Sequence, residues 1–190
     1  MYVARILYPV EVLGPGRRIG IWFCGCPRRC KGCSNPELWE ISPRYKTTPE
    51  AVFEMIERVA SENPVDGFTI TGGDPMLQSR ELTALIRLLR RISEDVLVYT
   101  GYRIEELPSD ALEGISVLID GEYVEERNNG CRLRGSDNQI IHILDGSLYD
   151  KYEKYCENGE NGIQNFMTSD GVVSVGIHRP GFLMQGKDIK

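Results

Sequence analysis

Three closely spaced cysteines constrain this chain more than any other feature of its sequence. Cys26, Cys30 and Cys33 follow the spacing Cys-x-x-x-Cys-x-x-Cys, directly after the apolar run at residues 19–23. Thiolates are soft ligands that suit iron–sulfur clusters, zinc or copper(I). A four-iron cluster needs one ligand on each iron, so three sulfurs leave one iron open to a ligand from outside the protein.

The cysteines alone leave other interpretations open. Cys24 could add a fourth sulfur to a structural zinc site, although such sites more often join two Cys-x-x-Cys halves and no second half is present in the sequence. A disulfide framework is disfavoured because the chain lacks the layout of a secretion signal. Burial as ordinary thiols suits Cys24, Cys131 and Cys156 better than three cysteines beside proline, arginine and lysine. The spacing by itself does not choose between a cluster and zinc.

Size and composition are those of one globular unit. At 190 residues, with 41% hydrophobic and 26% charged residues, the chain is long enough for one domain with a substantial core. Its net charge of −6 disfavours a nucleic-acid partner, and no apolar run approaches the ~20 residues that span a bilayer. We therefore expect a cytoplasmic protein with reduced thiols that binds neither nucleic acid nor membrane.

Strands and helices alternate along the first two thirds of the chain. Such alternation produces right-handed βαβ units and a mostly parallel sheet, so we predict an α/β fold. The predicted elements are strands at residues 19–23, 68–70, 96–100 and 117–119, helices starting near Thr48 and Ser79, and a short helix over residues 104–112.

The loops with unusual composition all follow predicted strands. Ligands of parallel sheets bind at the carboxyl ends of the strands, which lie along one edge. We therefore expect one site at that edge. Its loops are residues 26–33, 72–75, 100–102 and 120–121.

The cysteine spacing, residues 35–39 and the later Gly72-Gly73-Asp74-Pro75 resemble the radical S-adenosylmethionine (SAM) enzymes. Within that superfamily the chain is most similar to the glycyl radical enzyme activases of the anaerobic ribonucleotide reductase type. The resemblance implies an open, partial (β/α) barrel of mostly parallel strands with outer helices. It also implies that Cys26, Cys30 and Cys33 hold a [4Fe-4S] cluster whose fourth iron binds SAM.

The resemblance further implies an oxidoreductase reaction. An electron from a donor such as flavodoxin or ferredoxin cleaves SAM to methionine and a 5'-deoxyadenosyl radical, which takes a hydrogen atom from a glycine of a partner enzyme. No catalytic residue is then needed beyond the cluster and the SAM site. Two alternatives remain: a radical SAM enzyme acting on a small molecule or peptide, and a zinc-bound structural module.

The predicted SAM-binding residues follow the strands. Gly72 and Gly73 let the backbone approach a ligand closely, and the resemblance assigns them, with Asp74, to the amino group of SAM. Outside that context such residues usually form plain turns. The other predicted contacts are Thr100, Gly101, Asp120, Arg134 and Asn138, the last two in a segment similar to the Arg-Gly-Ser-x-Asn-Gln motif of the family.

The end of the chain departs from the family pattern. We divide the chain into a core domain at residues 1–145 and an extension at residues 146–190. Two strands are predicted in the extension, at residues 163–167 and 172–177. We expect this extension to act as a β-hairpin lid or as a docking element.

Overall fold

A six-stranded sheet lies at the centre of the protein in the computed structural model, which describes residues 1–157, 161–169 and 171–180. The extension predicted at residues 146–190 therefore falls partly outside the described residues. In chain and spatial order the strands are β1 (Val3–Val10), β2 (Arg18–Phe23), β3 (Gly67–Gly72), β4 (Val96–Tyr99), β5 (Val117–Asp120) and β6 (Ile140–Ile143).

The four central strands run parallel, and both edge strands run antiparallel to their neighbours. β2, β3, β4 and β5 pair in parallel, while β1 pairs with β2 and β6 with β5 in the opposite sense. The prediction of an α/β fold with a mostly parallel sheet is confirmed. The sequence did not indicate β6, whose four residues are only partly covered.

Two helices cover one face of the sheet. α1 (Pro49–Glu62) begins after Thr48, whose Oγ1 accepts a hydrogen bond from the Ala51 N–H, as predicted. α2 (Ser79–Leu89) continues from a 3₁₀ turn instead of starting at a Ser79 cap. Alternate strand residues, among them Ile21, Ile70 and Val98, point to this face and form a core with both helices.

The predicted short helix over residues 104–112 is wrong. The chain forms two separate 3₁₀ turns there, Ile104–Glu106 and Ser109–Leu112. Leu107 and Pro108 between them are extended, because the proline ring disfavours helical backbone at the residue before it.

The C-terminal segment covers the other face of the sheet. A helix, α3 (Tyr149–Glu157), is followed by the hairpin β7 (Ile163–Thr168) and β8 (Gly171–Gly176), which agrees with the predicted pair of strands. Tyr152 of α3 packs against β4 and β5, and Val175 of β8 packs near Trp22 of β2. The helix was not predicted, because its polar sequence has little apolar periodicity.

A buried ion pair joins α3 to the sheet. The Arg18 side chain is fully buried, and its Nη2 lies 2.9 Å from Asp95 Oδ1. Asp95 also accepts hydrogen bonds from Tyr152 Oη and Lys151 Nζ, each at 2.6 Å. The Arg18 Nε donates to Thr69 Oγ1 at 2.7 Å. The charge of Arg18 is thus matched by hydrogen bonds on this face, which α3 closes off from water.

Candidate functional site

The cysteine loop leaves the carboxyl end of β2 and is closed by backbone hydrogen bonds. The Gly25 N–H donates to the Leu38 carbonyl and the Cys26 N–H to the Trp39 carbonyl, both at 2.8 Å. Within the loop the Cys33 N–H donates to the Cys30 carbonyl at 3.2 Å. These bonds fix both ends of the loop, so its three thiols are held over the strand edge.

A cavity of about 550 Å³ lies between this loop and the ends of the parallel strands. Its volume falls within the range of small-molecule sites, roughly 300–1,000 Å³. All four loops predicted to share this edge contribute to its lining. The predicted site residues that line it are Cys26, Cys30, Cys33, Gly73, Asp74, Thr100 and Gly101.

Cys24 lies apart from the three cavity cysteines. Its side chain is fully buried in an apolar cluster with Val10, Trp22 and Leu38. This position argues against the zinc alternative, which needs Cys24 as a fourth ligand. Cys131 and Cys156 are free thiols and are not among the residues that line the cavity.

Burial raises the pKa of two of the cavity cysteines. Burial and the nearby Glu122 carboxylate raise the pKa of Cys30 to about 11, and the Cys30 Sγ lies 3.8 Å from Glu122 Oε1. Burial also raises the pKa of Cys33, although the Asn35 N–H, 3.4 Å from its Sγ, opposes the shift. A metal that binds here must therefore displace protons from sulfur.

The two glycines at the end of β3 allow the cysteine loop to approach the strand. Gly72 has a φ of +112°, and a Cβ at this residue would lie 2.3 Å from the Phe23 carbonyl oxygen. A Cβ on Gly73 would lie 2.5 Å from the Gly25 carbonyl oxygen. Because these neighbours are backbone atoms, a side chain at Gly72 would require the end of β2 to move, and one at Gly73 would require the start of the cysteine loop to move.

Asp74 connects the ends of two strands beneath the cavity. Its Oδ1 accepts hydrogen bonds from Thr100 Oγ1 at 2.8 Å and from the Met76 N–H at 3.1 Å. Its Oδ2 accepts one from the Gly101 N–H at 3.0 Å. Burial raises the pKa of Asp74 despite these bonds and the charge of Arg28. The carboxylate thus fixes Thr100 and Gly101 against the end of β3.

The remaining predicted residues lie behind the cavity surface. Gly72, Asp120, Arg134 and Asn138 are not among its lining residues. Asn138 Nδ2 donates to the Glu122 carbonyl at 2.7 Å, and Arg134 Nη1 to the Gln139 carbonyl at 3.1 Å. The Asp120 Oδ2 accepts a hydrogen bond from the Ile104 N–H at 2.8 Å. These side chains hold the loops that follow β4 and β5.

Sequence reasoning missed two parts of the cavity wall. Arg28, inside the cysteine loop, stacks its guanidinium 4.5 Å from the Tyr102 ring centre, and its Nε is buried without a hydrogen-bond partner among the described residues. Residues 174–179 at the end of the hairpin also line the cavity. The extension was expected to act as a lid or a docking element, but its sequence did not indicate which of its residues would border the site.

The donor set fits an iron–sulfur cluster with an exchangeable ligand. Three thiols face one cavity, and the loop that carries them supplies no fourth cysteine to it. Soft sulfur donors suit iron–sulfur clusters. The cavity extends from these thiols to Gly73, Thr100 and Gly101, so a second ligand can lie between the open side of the cluster and the strand ends.

Comparison with known proteins gives the class to which this fold and site belong. The model of a family described as a 4Fe-4S single cluster domain matches residues 12–142. This range contains the cysteine loop and every predicted site residue. The chain is thus a 4Fe-4S single-cluster protein.

Relatives identify the family more closely. The anaerobic ribonucleoside-triphosphate reductase-activating protein of Vibrio cholerae is 34% identical over 146 residues, which cover 71% of this chain and 94% of that protein. The protein of the same name from Escherichia coli K12 is 31% identical over 149 residues, covering 72% and 96%. The chain belongs to the family of anaerobic ribonucleoside-triphosphate reductase-activating proteins. A pyruvate formate-lyase-activating enzyme from Clostridium pasteurianum is 26% identical over 121 residues, covering 62% and 51%.

Family membership confirms several predictions made from the sequence. The chain is an activating enzyme of the radical SAM type, and its cofactors are a [4Fe-4S] cluster and SAM.

Among the described residues, no helix has the length and apolar character needed to cross a bilayer.

Proposed function

We propose that this chain installs a glycyl radical on an anaerobic ribonucleotide reductase. The observation that carries the proposal is the shared cavity: the three cysteines and the ends of β3 and β4 line one space. The proposal is supported by the match to activating proteins over 94–96% of their own length. Flavodoxin or ferredoxin is the proposed electron donor.

In this proposal the residues of the chain bind and orient the cofactors. Cys26, Cys30 and Cys33 would hold the cluster through their thiolates and leave room in the cavity for SAM. Once bound, the cofactors supply a reductive cleavage that yields methionine and a 5'-deoxyadenosyl radical, which takes a hydrogen atom from the partner's glycine. No acid–base pair in the chain is required, because a hydrogen atom is transferred rather than a proton.

The SAM contacts are proposed at the strand ends. Gly73 offers backbone groups to the amino group of SAM, and Thr100 and Gly101 border its adenosyl part. Asp74 lines the cavity, and its carboxylate oxygens accept hydrogen bonds from Thr100, Gly101 and Met76. We propose that it borders SAM and also holds the neighbouring strand end in place. The residues proposed to act from behind the cavity surface are Gly72, Asp120, Arg134 and Asn138.

We also propose the arrangement of the core. The parallel strands β2 to β5, with α1 and α2 on one face, are interpreted as part of an open radical SAM barrel. Residues 1–145 would form this catalytic core and residues 146–190 an extension of it. The extent of the family match, residues 12–142, supports the division.

The test uses protein purified without oxygen together with the anaerobic ribonucleotide reductase of the same organism. We expect about four irons per chain and reductant-dependent 5'-deoxyadenosine from SAM. We also expect the electron paramagnetic resonance (EPR) signal of a glycyl radical on the reductase. The controls are the Cys33→Ala variant and a reductase whose radical-site glycine is replaced by alanine. Formation of 5'-deoxyadenosine without a glycyl radical would contradict the proposed target.

A second candidate keeps the cofactors and changes the target to a small molecule or peptide. The observation that favours it is the contribution of residues 174–179 to the cavity, since a chain segment beyond the family match shapes the space beside the cysteines. This candidate predicts 5'-deoxyadenosine production that increases when the small substrate is added and is insensitive to the reductase.

A further inference from the structure

The end of the hairpin forms a wall of the cofactor cavity. Residues 174–179, here called the strap, comprise the second half of β8 and the three residues after it. They line the same cavity as Cys26, Cys30 and Cys33. The family match ends at residue 142, so the strap lies outside the part of the chain that the family model describes. Its contribution to the site is therefore a property of this chain's own C-terminal segment.

The strap is anchored by packing and hydrogen bonds. Val175 is buried against the cluster that contains Trp22 and Leu13. Further back on the hairpin, Gln164 accepts a hydrogen bond from the Glu11 N–H at 2.7 Å and donates to the Pro9 carbonyl at 3.2 Å. The strap thus has a defined position beside the cysteine loop.

His178 links the strap to the cysteine loop. Its Nδ1 lies 3.3 Å from the Oγ of Ser34, the residue that follows Cys33. Its Nε2 lies 2.9 Å from Ser174 Oγ, so the ring bridges two hydroxyl groups. The His178 carbonyl accepts a hydrogen bond from Asn128 Nδ2 at 2.8 Å, and the residue is only 9% exposed. The imidazole thus has one partner on the hairpin and one on the cysteine loop, and the backbone of the same residue is held by Asn128, so the ring is kept in one orientation.

We propose that the strap shields the cluster side of the cavity and that His178 is a positioning residue that holds Ser34, and with it the last turn of the cysteine loop. The inference rests on the cluster assigned under the proposed function, and it is independent of the partner. Outer residues that orient ligand-bearing segments influence how firmly a metal centre is held and how far solvent reaches it. The role assigned to His178 is therefore to position the loop, and no step of the reaction is assigned to it.

The test measures how fast the reconstituted protein loses iron to a chelator, together with the EPR spectrum of the reduced cluster. We expect His178→Ala and Ser34→Ala each to raise the rate on the order of fivefold, the factor that corresponds to one lost hydrogen bond. The double variant should lose iron no faster than either single variant, because both changes remove the same contact. His178→Gln should restore the slow rate. The matched control is Met167→Ala, a change at an 83% exposed residue of the same hairpin.

Three results would overturn the proposal. The first is a wild-type rate of iron loss in His178→Ala, and the second is a double variant whose increase in that rate is the product of the two single increases. The third is an equal increase in Met167→Ala. If His178→Ala takes up no cluster, the proposal is tested instead by the rate of amide hydrogen exchange in the metal-free protein. Faster exchange at residues 31–36 than in the wild type supports the proposal, and equal exchange contradicts it. Failure of the proposed function is a different outcome, with normal iron retention and no glycyl radical on the reductase.

Discussion

At the scale of single residues, side-chain direction decides which cysteines face the cavity. Cys24 and Cys26 are two positions apart, yet Cys24 is fully buried among apolar side chains while Cys26 lines the cavity. Gly25 between them has a φ of +100°, and the chain turns away from the strand there. A residue count alone could not separate the core thiol from the ligands.

Replacement of single cysteines tests this division. We expect Cys26→Ala, Cys30→Ala or Cys33→Ala to abolish cluster binding and SAM cleavage, because each removes one of three iron ligands. Cys24→Ala should retain iron and lose stability on the order of 1 kcal/mol, as a small core truncation does. Iron analysis and thermal unfolding measure both effects. Loss of iron in Cys24→Ala, with iron retained in Cys33→Ala, would contradict the assignment.

Gly73 tests how closely the strand and the cysteine loop must approach. In Gly73→Ala the new methyl group would lie 2.5 Å from the backbone oxygen of Gly25, so the start of the loop must move. We expect a loss of about 1–3 kcal/mol in the free energy of unfolding and an iron content below half that of the wild type. Gly146→Ala is the matched control, because no atom lies within 4 Å of its added Cβ. Normal iron content in Gly73→Ala would refute the close-packing explanation.

At the scale of elements, α3 determines the environment of the N-terminal end of β2. The Arg18 side chain at that end is 0% exposed, which is uncommon for arginine unless it is paired. Lys151 and Tyr152 of α3 share the carboxylate of Asp95 with Arg18. Polar residues of a helix beyond the family match thus complete a buried network beneath the sheet.

This network predicts a pH-dependent stability. Burial alone would raise the pKa of Asp95, but the hydrogen bonds and charge of Arg18, with Lys151 and Tyr152, outweigh it and lower the pKa. The network therefore stabilises the fold fully above the unfolded pKa, about 3.9, and less as the pH falls through the lowered folded value. We expect Asp95→Asn to cost about 3 kcal/mol at pH 7, and the difference from the wild type to shrink below about pH 4.

Urea unfolding at pH 7 and pH 3 measures this difference. The control is Glu113→Gln, which removes an exposed ion pair with Arg87 and should change stability little. A cost for Asp95→Asn that is the same at both pH values would show that the charge of Asp95 contributes nothing.

At the scale of the whole molecule, the largest apolar core and the site are separate. The largest apolar core lies between the sheet and its two covering helices, whereas the cysteine loop lies at the edge of the sheet. The cysteine loop is also closed by backbone bonds at its two ends. The fold therefore does not depend on the metal in the way that a small zinc module does.

Metal removal tests this separation. After chelation of iron we expect an unchanged far-ultraviolet circular dichroism spectrum and a lower melting temperature. The stabilisation lost is about 2–3 kcal/mol if the cluster is bound at around 100 times its dissociation constant. Loss of secondary structure on chelation would contradict the expectation and would make the cluster part of the folding core.

Much of the fold and of the site could be predicted from local patterns. The parallel strands, α1 and the hairpin follow from apolar periodicity and caps, and the cysteine spacing is the source of the proposed metal ligands. α3 could not be found in this way, because its sequence is mostly polar and its contacts are distant in sequence. The interruption at Pro108 could have been predicted from the proline itself, whereas the burial of Arg18 depends on distant residues that periodicity does not describe.

Three thiols at the end of one strand, and glycines that permit a close approach at the end of the next, could be recognised from local sequence. Which thiols face the cavity, which predicted residues line it and where the C-terminal hairpin lies became visible in the folded protein. The difference lies in the sequence separation of the residues that interact. Ligand type and backbone freedom belong to residues adjacent in the chain, whereas burial, the bridging of Ser34 by His178 and the pairing of Arg18 with Asp95 arise between segments that folding brings together.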